Sequence, residues 1–166
     1  MPFTPFHLGP ALAIGLPIRK YIHAPTFIIA NVIIDIEPLL VILLDLNYPL
    51  HGYLHTFIGA IIVGLSLGYI VYLLDAMFNN VWNKLLLTPG SSTCLRQFLI
   101  AGISGTALHV LLDAPLYYDI KPFYPLATNP IYYSESNSMI YITCIILGII
   151  GLIYYVHIIL NKQPRM

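Results

Sequence analysis

The sequence predicts an all-α, polytopic integral membrane protein: a helical bundle with five transmembrane segments, or with four and one re-entrant segment. Two observations predict this fold class. Charged residues make up 8% of the 166 residues, against about a quarter in soluble domains. Hydrophobic residues make up 58%, the mean hydropathy is +0.83, and the apolar residues fall in runs long enough for membrane helices. We expect residues 1–166 to form a single membrane-embedded domain.

The first apolar segment, residues 4–18, is short for a membrane span. Pro5 suits the first turn of a helix, and Pro10 should kink it. At about 1.5 Å per residue the segment spans less than a bilayer core. It therefore either crosses as a short helix or re-enters.

The second segment, residues 25–46, is long enough to cross and carries Asp35, Glu37 and Pro38 near its middle. On a regular helix, residues i and i+2 point about 200° apart, so both carboxylates could not face one site. Pro38 predicts a break that relieves this constraint. Broken helices are tolerated at membrane depth where they line a cavity.

The remaining chain alternates between spans and polar connections. Residues 47–53 form a tight polar turn, and residues 54–78 form the clearest span, with glycines that allow close helix approach. Residues 97–118 cross again. Residues 119–137 form the longest loop, and residues 138–160 form the last span.

The basic residues predict the orientation. With five crossings, all but one fall on one side, which the positive-inside rule makes cytoplasmic in the plasma (inner) membrane. The loops 47–53 and 119–137 then face the non-cytoplasmic side. The residues on the cytoplasmic side are Arg19, Lys20, Lys84, Arg96, Lys162 and Arg165, and the exception is Lys121.

Imidazoles and carboxylates are scarce in this sequence, and most lie in four of these segments at similar depth on the non-cytoplasmic side. Neutral imidazole and carboxylate are ligands suited to zinc and related divalent ions, and a divalent ion offsets the cost of burying a carboxylate. The sequence therefore predicts a divalent metal site, with zinc first and manganese or another transition metal as alternatives. The candidate ligands are His7, Asp35, Glu37, His51, His55, His109 and Asp113.

Two pairs in this set have helical spacing. His51 and His55 are four residues apart, as are His109 and Asp113, so each pair is expected to share a helix face. Seven candidates exceed the four ligands of one tetrahedral site, which makes two ions an option beside one. Two-metal sites serve phosphoryl displacement, with a metal-activated water as nucleophile. Glu37 is the candidate general base.

Roles without a metal are also open for several of these residues. A single histidine in a span is more often a helix–helix hydrogen-bond partner than a ligand, which is our expectation for His23 and His157. A His–Asp pair such as His109 and Asp113 can also satisfy itself without metal. Asp119 lies just beyond the fourth span and is not assigned to the site. The tyrosines are expected to form an aromatic belt.

At these residues the sequence resembles the YdjM-like family of LexA-regulated, inner-membrane-associated metal-dependent hydrolases. The resembling elements are an N-terminal histidine (His7), Asp35-Ile-Glu37-Pro38, His51-Gly-Tyr-Leu-His55-Thr56 and His109-Val-Leu-Leu-Asp113. Glu37 stands where the family has a second aspartate, and Gly52 follows His51 directly. The resemblance implies metal-dependent hydrolysis and names no substrate. The last element is also similar to one in zinc-dependent phospholipase C and P1-type nucleases.

The sequence therefore predicts a membrane-embedded metal-dependent hydrolase that cleaves a phosphoester of a lipid or of a membrane-associated substrate. The membrane lipid is its environment and candidate substrate, and the zero net charge gives no indication of nucleic-acid binding. One alternative is a divalent-ion transporter or channel, because intramembrane histidine and aspartate also mark ion pathways. Another is a non-catalytic scaffold stabilised by metal.

Overall fold

The computed structural model describes residues 5–88, 94–133 and 137–161, and this part of the chain contains helices and no strand. The predicted all-α class is confirmed. Pro89 and Gly90, which belong to a polar loop that the sequence predicts over residues 79–95, lie outside the described residues, as do the cations Lys162 and Arg165. The helices are α1 (Pro5–Gly15), α2 (Ala24–Ile33), α3 (Ile36–Leu43), a 3₁₀ helix (Tyr53–His55), α4 (Phe57–Lys84), α5 (Leu95–Asp113) and α6 (Asn137–Leu160).

Four described helical stretches are long and apolar enough to cross a membrane: Ala24–Leu43, Phe57–Lys84, Leu95–Asp113 and Ser138–Leu160. The first of these combines α2 and α3. The helix α1 has only 11 residues, which is about 16 Å at the usual helical rise, roughly half of a bilayer core. The structure thus fits the expectation of four spans plus one short segment better than that of five full spans.

The predicted break in the second span exists, but it lies before Pro38 rather than at it. The helix α2 ends at Ile33, and α3 begins at Ile36 with Asp35 as its N-cap residue. Pro38 therefore falls in the first turn of α3. A proline is tolerated there because the first amide groups of a helix have no intrahelical partner. The break turns the backbone between the two carboxylates, Asp35 and Glu37.

Small residues bring α4 and α5 together at backbone distance. A Cβ atom on Gly102 would collide with the carbonyl oxygen of Gly64, and one on Gly68 would lie 2.6 Å from the carbonyl oxygen of Phe98. A Cβ atom on Gly105 would lie 2.7 Å from the carbonyl oxygen of Phe27 in α2. Such approach is how membrane helices gain packing contacts. It makes α5 the central helix, with α2 on one face and α4 on another.

The outer surface of the bundle is apolar. Met77 on α4 is 72% exposed and Ile153 on α6 is 65% exposed, as are many other large apolar side chains on both helices. Polar side chains are concentrated inside, where His55, His109 and Asp113 are fully buried. An apolar exterior around a polar interior is compatible with insertion of the four long helices into a membrane.

Candidate metal centre

Four side chains from three segments converge inside the bundle. One ligand atom from each of Asp35, His55, His109 and Asp113 can be chosen so that all lie within 4.8 Å of one another. The side chains of the two histidines and of Asp113 have no exposed surface, whereas that of Asp35 is 14% exposed. Two imidazoles and two carboxylates at this spacing match the ligand number of one tetrahedral ion.

The helix α5 supplies His109 and Asp113, which share one helix face as predicted. His109 Nε2 lies 3.4 Å from Asp113 Oδ2. On its other side, His109 Nδ1 donates to the backbone oxygen of Asn31 at 2.8 Å. Because this acceptor requires the proton on Nδ1, the neutral form of His109 has its lone pair on Nε2, which faces the centre.

Asp35 enters from the break between α2 and α3. Its side chain makes no capping hydrogen bond to α3, and its Oδ1 atom lies 3.5 Å from His109 Nε2. A continuous helix would direct the side chains of Asp35 and Glu37 to opposite sides. The observed break also leaves the side chains of Asp35 and Glu37 in different places, and only Asp35 belongs to the group of four.

His55 enters from the 3₁₀ helix before α4, and this corrects one prediction. His51 and His55 do not share a helix face, because α4 begins only at Phe57. The reason is Thr56, an extended N-cap residue whose hydroxyl accepts from the amide of Gly59 at 2.9 Å. Burial lowers the pKa of His55, which favours the neutral imidazole that binds metals.

Glu37 lies behind His55 rather than in the group of four. Its Oε2 atom accepts from His55 Nδ1 at 2.8 Å and from the Gly52 amide at 3.0 Å. Its Oε1 atom accepts from the Tyr48 hydroxyl and from the Leu54 amide, both at 3.2 Å. A carboxylate on the far nitrogen of a ligand histidine fixes the ring and its tautomer. Four donors on one carboxylate favour this positioning role over that of a general base.

His7 reaches the centre from α1. Its Nε2 atom lies 3.1 Å from Asp113 Oδ1, and its ring stacks on that of His109 with centroids 4.1 Å apart. It is almost fully buried. The structure thus places His7 beside two members of the group of four, where it orients Asp113, and outside the group itself.

His51 is also outside the group of four and has a partner that sequence reasoning did not assign. Its Nδ1 atom lies 2.9 Å from Asp119 Oδ2, and its ring packs against His55 with centroids 4.8 Å apart. His51 and Asp119 are 68 positions apart in the sequence, so no local spacing could reveal this pair. The only signal was the position of Asp119 at the same end of the bundle as the turn that holds His51.

The inward-facing atoms of the centre lack hydrogen bonds. His55 Nε2, His109 Nε2 and Asp113 Oδ2 are buried, and none makes a hydrogen bond to the described residues. Buried polar atoms are normally satisfied, and exceptions indicate an ion or water. Two imidazole nitrogens and a carboxylate oxygen this close together form a donor set that a divalent cation satisfies. The residues therefore fit a metal ion.

A cavity of about 310 Å³ lies beside the residues that neighbour His55, and none of the four residues of the centre lines it. His51 and Thr56, which flank His55 in sequence and packing, form part of its wall. The Phe57 amide donates to the backbone oxygen of Pro122 at 2.9 Å, which holds the loop after α5 against the start of α4. The cavity is thus formed between two connecting loops at one end of the bundle.

Two histidines assigned a structural role lie away from the centre. His23 caps α2, where its Nδ1 atom accepts from the Thr26 amide at 3.4 Å, and its Nε2 atom lies 3.4 Å from Asp75 Oδ1. Burial lowers the pKa of His23 to about 4. His157 contacts Asn161 within the same helical stretch. The expected helix–helix contact is thus present for His23, while the contact between His157 and Asn161 is local.

Comparisons with protein-family models, curated proteins and solved structures found no match.

Proposed function

We propose that this protein is a membrane-embedded metal-dependent hydrolase that cleaves a phosphoester of a lipid or of another membrane-associated substrate. The observation that carries the proposal is the buried convergence of Asp35, His55, His109 and Asp113 within 4.8 Å, beside a cavity with access to the outside of the bundle. Intramembrane ionisable residues are costly, so a cluster of four requires a functional or structural counter-charge.

The group of four supports one ion, with zinc as the first candidate. His55, His109 and Asp113 are the three fully buried ligands, and three protein ligands with a fourth open position are typical of catalytic zinc. Asp35 is the more exposed fourth member, and it serves as either the fourth ligand or the proton acceptor. A divalent ion there would lower the pKa of a water molecule toward neutrality.

The surrounding residues have supporting roles in this proposal. Glu37 holds the His55 ring through Nδ1, the Asn31 carbonyl holds the His109 ring, and His7 holds Asp113. Such outer contacts set ligand orientation and are typical of working metal sites. Because Glu37, His7 and His51 lie outside the group of four, only four of the seven candidate ligands remain. Four ligands favour one ion over two.

We place the cavity on the non-cytoplasmic side of the plasma (inner) membrane. The support is the distribution of basic residues in the sequence, interpreted by the positive-inside rule. Arg19, Lys20, Lys84 and Arg96 fall near the turns at one end of the helices, and Lys121 falls in the loop that forms the cavity. The Gln97 side chain donates to the Lys20 carbonyl at 3.4 Å, which joins the first of these turns to the start of α5.

Elemental analysis of the purified protein by plasma mass spectrometry tests the metal proposal. After chelator-free purification we expect about one transition-metal ion per chain. The His109→Ala variant should lose it, whereas His157→Ala should keep it, because His157 contacts Asn161 away from the centre. Absence of metal in the unmodified protein, with none taken up on addition, would remove both the metal centre and the hydrolase proposal.

A specific observation also supports ion transport as a second candidate function. In the other half of the bundle, the buried His23 and the half-buried Asp75 form a pair. Trp82 Nε1 is buried nearby without a hydrogen bond to the described residues. His23 precedes Asp35 by 12 residues, about 18 Å along a helix. In proteoliposomes, metal flux that falls in His23→Asn while metal content is kept would favour transport over hydrolysis.

A further inference from the structure

We infer that the cavity beside the metal centre binds the headgroup of a zwitterionic phospholipid, with its ammonium group against Asp119 and the tyrosines and its phosphoester toward the metal centre. This inference rests on the proposed function, because it names the substrate class of the same site. It is carried by the charge and chemistry of the cavity wall, which differ from those of the metal centre.

The cavity wall carries one acidic and one basic side chain, Asp119 and Lys121. A site specific for anions would be lined by cationic side chains and would contain no carboxylate, since like charges at close range are unfavourable. Here a carboxylate that is 29% exposed lies next to the place where a phosphoester would approach the metal. A substrate that carries a positive group beside its phosphate suits both charges, whereas a purely anionic headgroup would bring a second negative charge next to Asp119.

Three tyrosines line the same cavity: Tyr48, Tyr53 and Tyr124. The rings of Tyr53 and Tyr124 meet edge to face, with centroids 5.3 Å apart, and those of Tyr48 and Tyr53 lie 6.4 Å apart. Aromatic faces next to a carboxylate are the usual surroundings of an ammonium or quaternary ammonium ligand. The sequence predicted only an aromatic belt, and the structure adds that these three tyrosines line one cavity.

His51 connects the headgroup cavity to the metal centre. Its ring lines the cavity, contacts Asp119 through Nδ1 at 2.9 Å and packs on the ligand His55. A ligand whose ammonium lies at Asp119 therefore has its neighbouring groups next to the metal ligands. Phosphate and ammonium are separated by a short carbon linker in zwitterionic headgroups, which matches this adjacency.

The size and position of the cavity suit a headgroup with its chains outside. A volume of about 310 Å³ is at the lower end for small-molecule sites, which span about 300–1,000 Å³. It has room for a headgroup and not for acyl chains. The exposed apolar side chains of Phe123 and Leu126 lie in the loop that continues from the cavity, where acyl chains would enter the bilayer.

Lipid binding measured by native mass spectrometry tests the inference without requiring turnover. The purified protein is offered equal amounts of phosphatidylethanolamine and phosphatidylglycerol with matched acyl chains. We expect preferential retention of the ethanolamine lipid, and a loss of about tenfold in that preference for Asp119→Asn, which is within the range of one charge-assisted contact. Asparagine keeps an oxygen for His51, so the loop contact is retained.

Two further variants sharpen the result. Tyr53→Leu keeps the apolar volume and removes the aromatic face, and should reduce the preference by about two- to fivefold. Asp45→Asn is the matched control, because Asp45 is exposed in the loop after α3 and its backbone φ of 47° suits asparagine. It should leave the preference unchanged.

The outcomes separate this inference from the proposed function. Equal or stronger retention of phosphatidylglycerol, or an unchanged preference in Asp119→Asn, would overturn the inference even if metal and turnover are found. Preferential ethanolamine binding in a protein that holds no metal would support the headgroup site and remove the hydrolase. Competition by soluble phosphoethanolamine at the same concentration as the lipid would overturn the lipid assignment, since the acyl chains would then contribute nothing.

Discussion

Glu37→Gln tests whether Glu37 positions His55 or acts as the general base. The carboxylate accepts four hydrogen bonds, two on each oxygen. Glutamine keeps the shape but replaces one acceptor oxygen with an NH₂ group. In the less costly orientation the amide oxygen stays on His55 and Gly52, and the NH₂ group faces Tyr48 and the Leu54 amide.

The size of the effect follows from this geometry. The Tyr48 hydroxyl can rotate to accept from the new NH₂ group, but the Leu54 amide is left facing a donor. The Leu54 amide is part-buried, so leaving it unsatisfied should lower the free energy of unfolding by about 1 kcal/mol, the lower end of the range for a buried donor. The weaker acceptor on His55 Nδ1 should reduce metal affinity by about 10- to 100-fold, the usual range for such outer contacts.

Two measurements on detergent-solubilised protein check these values: metal affinity by competition with a chelator of known affinity, and stability by thermal unfolding. Tyr48→Phe is the control. It removes one donor to Oε1 and leaves the Oε2 contact to His55, so metal affinity should stay at the level of the unmodified protein.

Turnover then separates the two roles of Glu37. With the metal site refilled at high metal concentration, a positioning residue should leave activity within about tenfold of the unmodified protein, whereas loss of a general base costs about 10²- to 10⁴-fold. Unchanged metal affinity in Glu37→Gln, or a loss of turnover beyond 10²-fold at full occupancy, would refute the positioning role.

Three further predictions concern the scaffold around the centre. Gly102→Val should destabilise the protein by about 1–3 kcal/mol in thermal unfolding, because its Cβ atom would collide with the Gly64 carbonyl; unaltered stability would contradict the α4–α5 packing. Thr56→Ala should cost about 0.5–2 kcal/mol and weaken metal binding, since its cap fixes where α4 begins after His55; metal titration checks this. For His23, with a pKa lowered to about 4 by burial, stability should be complete above pH 6.5 and fall as the pH decreases toward 4. The unfolded chain takes up a proton in that range that the folded chain does not. His23→Asn can still cap α2 and should remove this slope from unfolding curves measured across that range.

Most of the fold could be predicted from the sequence because its signals are local. Apolar run length identified the spans, and Pro38 together with the closely spaced carboxylates identified the break in the second span. The shared face of His109 and Asp113 followed from helical spacing alone. The start of α4 could not be predicted from spacing, because the Thr56 cap takes precedence over the helical pattern of the preceding histidines.

The division of the seven candidates into ligands and supports required the structure. Residue type and predicted depth in the membrane placed Glu37, His7 and His51 with the ligands, since carboxylates and imidazoles both bind metals. Their separation depends on which atom faces inward, as with His55, whose Nδ1 contacts Glu37 while Nε2 faces the centre. The Asp119 contact joins residues far apart in sequence and depends on loop geometry that no periodicity encodes.

The packing of α1 against α6 has a consequence for the order of assembly. Gly9 of α1 lies against the Cys144 carbonyl, and a Cβ atom on Gly151 of α6 would lie 2.8 Å from the Ala13 amide nitrogen. The helix that carries His7 is therefore held by the helix that is synthesised last among those described. During biosynthesis the other ligands could gather earlier, and a His7 contact that depends on the packing of α1 against α6 would form only after α6 has entered the bilayer. Maturation of the centre would thus coincide with completion of the bundle, so that a nascent chain carries no fully formed site.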